Sequence, residues 1–556
     1  MREFITSRDI ELRWALGERE VVLSPGDVVT GEAEELAERL GMRIVRLSET
    51  GEAFAAEGQP SGVAPALRPH DDAQRQGPVP AQASVHTRPR LDLAITGGVV
   101  VLPGEGTFET DVWIKNGRVV CLGSGAPRDS GRVLDAAGRY VLPGVVDPHV
   151  HLGLFAGLEE DLETETRSAL LGGVTTIGCY LGGPGPHQSL LERLDKIVEE
   201  HSSVDVFPHL IIGTETQLDE MTLYAELGVT SFKFYMCGIP GLIQEVDDGF
   251  LMEGLRRCAS ARKRCVACVH AENASIVARA SRPAGGPPAD SAGSVPGGGG
   301  TQSNSYQVGS QGQLRNWAET HPSQAEEDAI RRLAWMTRVT GATVYAVHVS
   351  SASGLQAVRE ARASGLSLVA EVASPHLVLS WDSDRGSVAK MVPPFRSEED
   401  RQALWRGVED GTVSALGTDN VTMTREQKGL GGSFGDVMPG YPAMATHLAA
   451  VLTEGAIGRG LSIVRAAELL ARGPSEVFGL YPRKGTLLPG SDADAVLVDV
   501  QRRTTIRHDE LGSRAGFSLF DGCRLVGWPF TTVQAGRVVV EEGRSVDRSR
   551  GRLILR

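Results

Sequence analysis

Eight short apolar segments, most of them followed by enough chain for a helix, run through the middle of this 556-residue sequence. In chain order they are GVVDPHVH, TTIGCYL, DVFPHLII, TSFKFYM, CVACVHAE, TVYAVHVS, SLVAEVAS and VSALGTDN. Helix-like segments such as EEDLETETRSALLGG and SEEDRQALWRGVEDG lie between most pairs. Eight alternating strands and helices over about 280 residues predict the α/β fold known as a (β/α)8 or TIM barrel. A doubly wound open sheet is the alternative that this pattern leaves.

Strand patterns with glycine turns flank the barrel region, residues 145–482, on both sides. They fill residues 92–144 and return in residues 483–556, in DADAVLVDV, TTVQAGRVVVEEG and RLILR. We therefore expect both ends of the region to build one flanking β-sandwich, followed by a C-terminal tail.

Three further segments differ from the barrel and the sandwich. Residues 1–50 alternate helical and strand patterns and predict a small N-terminal α/β extension. Residues 51–91 are dominated by Gly, Pro, Ala, Gln and His, which is typical of a flexible linker. Residues 281–313 are rich in Gly, Pro and Ser and directly follow the fifth strand. We expect a disordered insertion there, with a mobile lid over the active face as the alternative.

Charge and cysteine content exclude several classes of protein. A formal charge of −14 argues against a nucleic-acid partner, because such proteins need a basic face that neutralises phosphates. A small-molecule substrate fits better. Charges throughout MREFITSRDIELRW, and no run of about 18 apolar residues, predict a cytoplasmic protein with no membrane partner. Seven cysteines suit a reducing compartment, and we interpret Cys265 and Cys268 as core thiols rather than a zinc or redox site.

Polar residues that bind metals fall at the C-terminal ends of the expected strands, where barrel enzymes place their catalytic groups. His149 and His151 end the first strand, two residues apart, so that both side chains point to one face. The set of candidates is His149, His151, Lys233, His270, His348 and Asp419. Imidazoles and carboxylates are the usual ligands of Zn²⁺ and similar ions. Six positions exceed the needs of one open catalytic zinc, so two divalent metals sharing a water or hydroxide are expected.

Lys233 lies inside the apolar strand of SFKFYMCG, where an unpaired ammonium is costly to bury. A neutral lysine amine can add CO₂ and form a carbamate, whose two oxygens suit a bridge between two cations. A lysine that reaches solvent or pairs with a carboxylate is the structural alternative.

These motifs resemble the dihydropyrimidinase and D-hydantoinase branch of the amidohydrolase superfamily. The resemblance spans roughly residues 92–550 and is carried by PGVVDPHVHL, SFKFYM, HAEN, HVSS, MVPPFRSEEDRQALWRGVEDGTVSALGTDN and SLFDGCRLVGWPFTTVQAGRVVVEEG. It implies a distorted barrel with a flanking sandwich, an enzyme that opens a cyclic amide or imide by hydrolysis, and often a homotetramer or homodimer.

The same resemblance implies a role for each candidate ligand. His149 and His151 would bind the more buried metal and His270 and His348 the more exposed one. Carboxylated Lys233, an N6-carboxylysine, would bridge the two metals. Asp419 would ligate the buried metal and act as general base and then general acid, taking a proton from the attacking hydroxide and passing it to the leaving nitrogen.

The substrate-binding positions depart from the pattern of this family. Where members carry an oxyanion-stabilising tyrosine this chain has Gly238, and Tyr235 is a candidate replacement. The serine that contacts the ring is Val392, the asparagine whose backbone grips it is Pro439, and the histidine after the catalytic aspartate is Asn420.

Three hypotheses about function follow. The leading one is a binuclear metal-dependent hydrolase of a cyclic amide, similar to a hydantoinase or dihydropyrimidinase but with an atypical substrate pocket, which leaves open a ring other than a plain hydantoin or dihydropyrimidine. The second is an allantoinase-like enzyme or one that cleaves a linear C–N bond. The third is a non-catalytic scaffold of the same fold, which the six retained candidate ligands disfavour.

Overall fold

The computed structural model describes residues 4–5, 10, 20–23, 28–40, 42–47, 53–54, 90–125, 130–239, 242–282, 312–547 and 549–556. Nearly all of the expected linker and of the expected insertion after the fifth strand lies outside these residues. Within the described part of the chain, no helix has the length and apolar character needed to cross a membrane.

The eight expected strands form one curled parallel sheet whose neighbours follow chain order. They are β1 Val145–His151, β2 Val174–Leu181, β3 Asp205–Ile211, β4 Ser231–Tyr235, β5 Val266–His270, β6 Thr343–Ala346, β7 Leu368–Ala373 and β8 Val413–Gly417. No ladder between β8 and β1 is formed in the described residues; instead the short strand Asn420–Val421 pairs with Val150 and His151. The doubly wound alternative is therefore wrong, and the sheet is a distorted barrel.

Helices connect and cover these strands. In chain order they are Leu158–Leu171, Gln188–His201, Glu215–Asp219, Met221–Glu226, Asp248–Ser260, Ala274–Ala280, Gln313–Thr320, Ser323–Thr340, Ala352–Ala363, Ser374–Val378, Glu398–Glu409, Arg425–Lys428, His447–Val451, Ile463–Ala467 and Gly473–Val477. Shorter 3₁₀ turns span Gly386–Ala389, Phe434–Asp436, Met444–Thr446 and His508–Glu510, and π-helical turns span Leu452–Ile457 and Glu468–Arg472.

The helix Glu398–Glu409 illustrates why these segments are helical. Ser397 caps it by accepting a hydrogen bond from the Asp400 amide, and three acidic residues fill its first turn, where the helix dipole favours them. Trp405 lies on its buried face and donates an indole hydrogen bond to the Leu377 carbonyl at 2.7 Å.

Two further sheets confirm that both ends of the barrel region contribute to a second β domain. A four-stranded sheet contains Leu93–Thr96, Asp111–Lys115, Arg118–Gly123 and Arg132–Asp135. A seven-stranded sheet contains Val99–Leu102, Gly106–Glu109, Tyr140–Pro143, Ala495–Val498, Pro529–Gln534, Arg537–Glu541 and Arg544–Ser545. The two ends meet where Tyr140–Pro143 pairs antiparallel with Ala495–Val498. A separate hairpin pairs Arg503–Thr505 with Arg524–Val526.

The expectation that RLILR belongs to this sandwich is wrong. Leu553 instead forms a single parallel bridge with Val206, at the start of β3. The reason is electrostatic, because the Arg552 guanidinium binds the Asp205 carboxylate at 2.6 Å and draws the segment to the barrel.

The N-terminal extension has the expected mixture of elements in its described part. Its strands are Phe4–Ile5, Glu20–Leu23, Val28–Val29, Arg43–Leu47 and Ala53–Phe54, and its helix is Gly31–Arg39. Thr30 caps the helix by accepting from the Ala33 amide.

Candidate metal centre

Three of the candidate ligands meet at the C-terminal end of β1. The Nε2 atoms of His149 and His151 are 3.2 Å apart, and the Asp419 Oδ1 lies 3.2 Å from each of them. All three side chains are buried. Ligand atoms on a tetrahedral zinc with bonds of about 2.0–2.1 Å lie roughly 3.4 Å apart, so these separations fit a metal between them.

The other two histidines form a second pair beside this triangle. The Nδ1 of His270 faces the Nε2 of His348 at 3.0 Å. His348 also joins the first group, because ligand atoms of His149, His348 and Asp419 all lie within 4.8 Å of one another. The structure therefore brings all five candidate histidine and aspartate ligands to one mouth of the barrel.

Lys233 extends into the same site from β4. The side chain is fully buried, and its Nζ has no hydrogen-bond partner among the described residues. It lies 4.7 Å from the ring centre of Tyr180 and 4.8 Å from that of Tyr235. Burial lowers the pKa of Lys233 to about 8. The alternatives in which this lysine reaches solvent or pairs directly with a carboxylate do not describe the structure.

Two glutamates that were not among the predicted site residues orient the histidines. Glu371 on β7 accepts from the His149 Nδ1 at 2.7 Å, which leaves the Nε2 lone pair directed into the site. Glu272 contacts the His270 Nε2 at 2.9 Å and leaves Nδ1 free for the site. The signal for Glu371 was present in SLVAEVAS, because an acidic residue inside a buried strand requires a partner.

Backbone strain also concentrates at this end of the barrel. Five non-glycine residues in the described chain have positive φ, and two of them are His348 at 39° and Asp419 at 54°. Such conformations are costly and persist where the surrounding structure enforces them. Thr418 provides part of that enforcement, since its hydroxyl and amide donate to the Asp147 carboxylate at 2.6 and 3.0 Å.

Position 417 requires glycine because neighbouring side chains approach its backbone closely, and not because of its backbone angle. A Cβ at this position would lie 2.8 Å from the His149 Cβ and 3.0 Å from the Glu371 Oε1. The absence of a side chain therefore lets β8 approach the ligand and its orienting carboxylate.

The protonation states suit metal binding. Burial lowers the pKa of His151 to about 4 and that of His348 well below its ordinary value, so both imidazoles are neutral near pH 7. Burial opposes ionisation of Asp419, but the surrounding His149 and His151 outweigh it and lower the pKa of this carboxyl. Neutral imidazoles beside an ionised carboxylate form the donor set of a divalent metal site.

A cleft opens above these ligands. Tyr235, Val392 and Pro439, three of the four expected substrate-binding residues, line it. The remaining lining residues outside the ligand set are Leu154, Ile239, Leu242, Ile243, Met391 and Val421. Apart from the ligand set and Tyr235, every described side chain that lines the cleft is apolar.

Gly238, the fourth expected substrate-binding residue, does not line the cleft. Ile239 and Ile243 exchange backbone hydrogen bonds of 2.8 and 2.9 Å and form a short hairpin against this glycine. A Cβ on Gly238 would lie 2.6 Å from the Ile243 carbonyl oxygen and 2.5 Å from the Glu245 Oε2. The hairpin therefore presents aliphatic side chains beside Gly238.

Comparison with known proteins places these features in context. A family model described as the Amidohydrolase family matches residues 317–525, and one described as Dihydro-orotase-like matches residues 138–276. A D-phenylhydantoinase of Escherichia coli O81 (strain ED1a) is 30% identical over 487 residues, covering 84% of this chain and 98% of that protein. An L-hydantoinase of Paenarthrobacter aurescens is 29% identical over 472 residues, covering 82% and 96%. The solved L-hydantoinase (dihydropyrimidinase) from Arthrobacter aurescens aligns with a TM-score of 0.74 at 27% identity, covering 84% of this chain and all of that one.

Proposed function

This chain belongs to the amidohydrolase family, in the branch of the hydantoinases and dihydropyrimidinases, and on that premise we propose that it hydrolyses a C–N bond of a small cyclic amide or imide. One observation carries the proposal. Four histidines, one aspartate and one buried lysine without a hydrogen-bond partner converge at the C-terminal end of the barrel, where this fold places its chemistry.

We propose that His149, His151 and Asp419 bind one divalent metal and that His270 and His348 bind a second. Zn²⁺ is the expected ion, because neutral imidazole and carboxylate donors match its preferences. The spacing of 3.2 Å within the first group supports this assignment. A bound divalent metal would supply Lewis-acid polarisation of the scissile carbonyl and a lowered pKa for the attacking water.

We propose that Lys233 is carboxylated and bridges the two groups of ligands. Its pKa of about 8 leaves a useful fraction of neutral amine near neutral pH. The amine nitrogen attacks the carbon of CO₂ and loses one proton, which gives a carbamate anion with two donor oxygens. The modification removes the buried cation. It puts an anionic group in its place, which could pair with bound metal ions.

Asp419 moves the proton in the proposed reaction. Its ionised carboxylate accepts a proton from the attacking water and returns it to the ring nitrogen as the C–N bond breaks. The contacts of Asp419 with His149 and His151, and its place in the lining of the cleft, support this role. Glu371 and Glu272 keep the histidine rings oriented during this transfer.

The apolar walls of the cleft support a cyclic amide that carries an apolar substituent. Leu154, Ile239, Leu242 and Ile243 offer aliphatic contacts and exclude water from the ring. The ureido group of allantoin would lose its hydrogen bonds to water against such walls, which disfavours an allantoinase.

A substrate panel tests the proposed function. The protein would be expressed with zinc and bicarbonate and assayed with hydantoin, 5-alkyl and 5-aryl hydantoins, dihydrouracil, allantoin, cyclic imides and N-acyl amino acids. We expect ring opening with at least one apolar cyclic amide and none in Asp419→Asn. Turnover confined to linear amides would refute the cyclic substrate. Less than about one divalent metal per chain would instead favour a non-catalytic scaffold.

We further propose that the enzyme works in the cytoplasm as a homodimer or homotetramer. Cys265 and Cys268 are free thiols buried in the barrel core, which fits a reducing compartment. Light scattering of the purified protein distinguishes these assemblies from a monomer.

A further inference from the structure

Two neighbouring loop segments form parts of the cleft wall, and one buried lysine connects them. Met391 and Val392 line the cleft from the segment after β7, and Pro439 lines it from the segment after β8. Lys428 lies at the end of the helix Arg425–Lys428, behind both segments, and is fully buried.

The Lys428 side-chain amine donates to backbone carbonyls on both segments. Its Nζ is 2.9 Å from the Met438 carbonyl oxygen and 2.5 Å from that of Gly440, the residues on either side of Pro439. It is also 3.4 Å from the carbonyl oxygen of Lys390, which precedes Met391. Among the described residues, no carboxylate forms an ion pair with Lys428.

Backbone hydrogen bonds complete the same junction. The Gly440 amide donates to the Lys390 carbonyl at 2.9 Å, and the Met438 amide donates to the Lys428 carbonyl at 2.9 Å. Buried carbonyls that lose a charged donor become unsatisfied, which favours a rearranged loop over the native one.

We propose that Lys428 is a positioning residue for the substrate pocket, and that its side-chain amine sets the distance between the wall at Met391–Val392 and the wall at Pro439. This inference rests on the proposed function, because it assigns the cleft to the substrate. Lys428 contacts no candidate metal ligand in the described structure. Its loss should therefore weaken substrate binding while the chemistry at the metal centre continues.

The test compares Lys428→Met, Lys428→Arg and the control Lys263→Met, with the ring-opening substrate from the panel. Lys263 also donates to backbone carbonyls, those of Glu226 and Arg556, but at the surface and far along the chain from the cleft loops. For Lys428→Met we expect KM to rise about tenfold or more, with kcat within about threefold and metal content unchanged. Lys428→Arg should recover most of the loss, because it keeps a charged donor. Lys263→Met should leave KM within about twofold.

Hydrogen exchange provides a second readout that does not require turnover. In the wild type, the amides of Met438 and Gly440 should be protected, and in Lys428→Met they should exchange about tenfold faster or more. A KM within about twofold of wild type in Lys428→Met would overturn the proposal, as would a loss of metal. Unprotected Met438 and Gly440 amides in the wild type would overturn it even if the variant does not fold. If the wild type opens no cyclic amide, the proposed function is wrong. The role of Lys428 in positioning the two loop segments is then tested by hydrogen exchange alone.

Discussion

At the scale of single residues, Lys233 carries the greatest contradiction between sequence and environment. It is a cationic residue type in a strand whose other side chains are buried, and in the described structure it has no hydrogen bond and no ion pair. Burial of a bare ammonium costs several kcal/mol unless the charge is removed or compensated. The proposed carboxylation would resolve the contradiction, because it would replace a cation with an anionic ligand.

Replacing Lys233 by Ala should abolish metal-bridged hydrolysis. We expect kcat to fall by at least about a hundredfold, because the bridging ligand is lost, and a short carboxylate such as propionate should restore part of it. Steady-state kinetics with and without propionate measure both effects. Wild-type turnover in the variant without added carboxylate would refute the assignment, and mass spectrometry of the native protein tests directly for the added CO₂.

Glu371 should act on metal affinity through His149. Glu371→Gln keeps the shape of the side chain but replaces the carboxylate that orients the ring at 2.7 Å. Loss of such a partner typically weakens metal binding by about 10–100-fold. Competition with a chelator measures this, with the exposed Glu360→Gln as the control. Equal zinc affinity in Glu371→Gln and wild type would show that the carboxylate does not orient the ligand.

At the scale of elements, the strands could be predicted from their apolar patterns, whereas the structure of the loops could not. All eight strands lie where the apolar segments and the helix-like segments between them predicted them. A buried strand consists of consecutive apolar residues, so the sequence shows it directly. The hairpin of Ile239 and Ile243 had no such signal. It depends on a glycine that a neighbouring backbone approaches, and close approach leaves no local periodicity.

Substituting Gly238 by Ala should displace this hairpin. The new Cβ would lie 2.6 Å from a backbone oxygen that cannot rotate away, so Ile239 and Ile243 must shift in the cleft. We expect KM for an apolar substrate to rise about tenfold, the equivalent of roughly 1.4 kcal/mol. Gly183→Ala is the matched control, because a Cβ there meets nothing within 4 Å. Unchanged KM in Gly238→Ala would mean that the hairpin does not contact the substrate.

At the scale of the whole molecule, a buried ionic network joins the barrel to the C-terminal region. The Lys484 ammonium lies 2.6 Å from Asp205 on β3, 2.5 Å from Asp494 and 3.2 Å from Asp492. Arg552 binds Asp205 and Asp492 at 2.6 and 2.7 Å. Arg483 and Arg118 also pair with Asp492, at 3.1 and 3.4 Å, so that four cations compensate the three buried carboxylates.

Replacing Lys484 by Met should destabilise the protein strongly at pH 7. Uncompensated buried carboxylates cost about 3–5 kcal/mol, so the midpoint of urea unfolding should fall, and Lys484→Arg should lose less. The difference from wild type should shrink as the pH is lowered towards 4, because protonation then removes the unpaired charges from the variant. If the difference in unfolding midpoint between Lys484→Met and wild type did not change with pH, lost packing rather than unpaired charge would explain the lower stability.

Acid should also weaken the wild type through the same network. Burial would raise the pKa of Asp205, but Lys484 and Arg552 outweigh it and lower this pKa to about 2. A carboxyl whose folded pKa is depressed stabilises the fold above its unfolded value near 3.9, and this contribution is lost as the pH falls towards 2. Unfolding midpoints measured between pH 5 and pH 2 should therefore drop more steeply in wild type than in Asp205→Asn.

The sequence by itself determined the barrel, the second β domain and the candidate ligands at the strand ends. These follow from short-range regularities, namely the strand and helix periods and the rule that side chains two apart on a strand share a face. Tertiary structure alone decided which groups support that site. Glu371 orients a histidine 222 positions away, and Lys484 binds an aspartate 279 positions away. Lys428 and Gly238 likewise act on backbone atoms, which any residue type carries. Contacts of this kind leave no pattern along the chain, because only the folded backbone decides which of these groups approach one another.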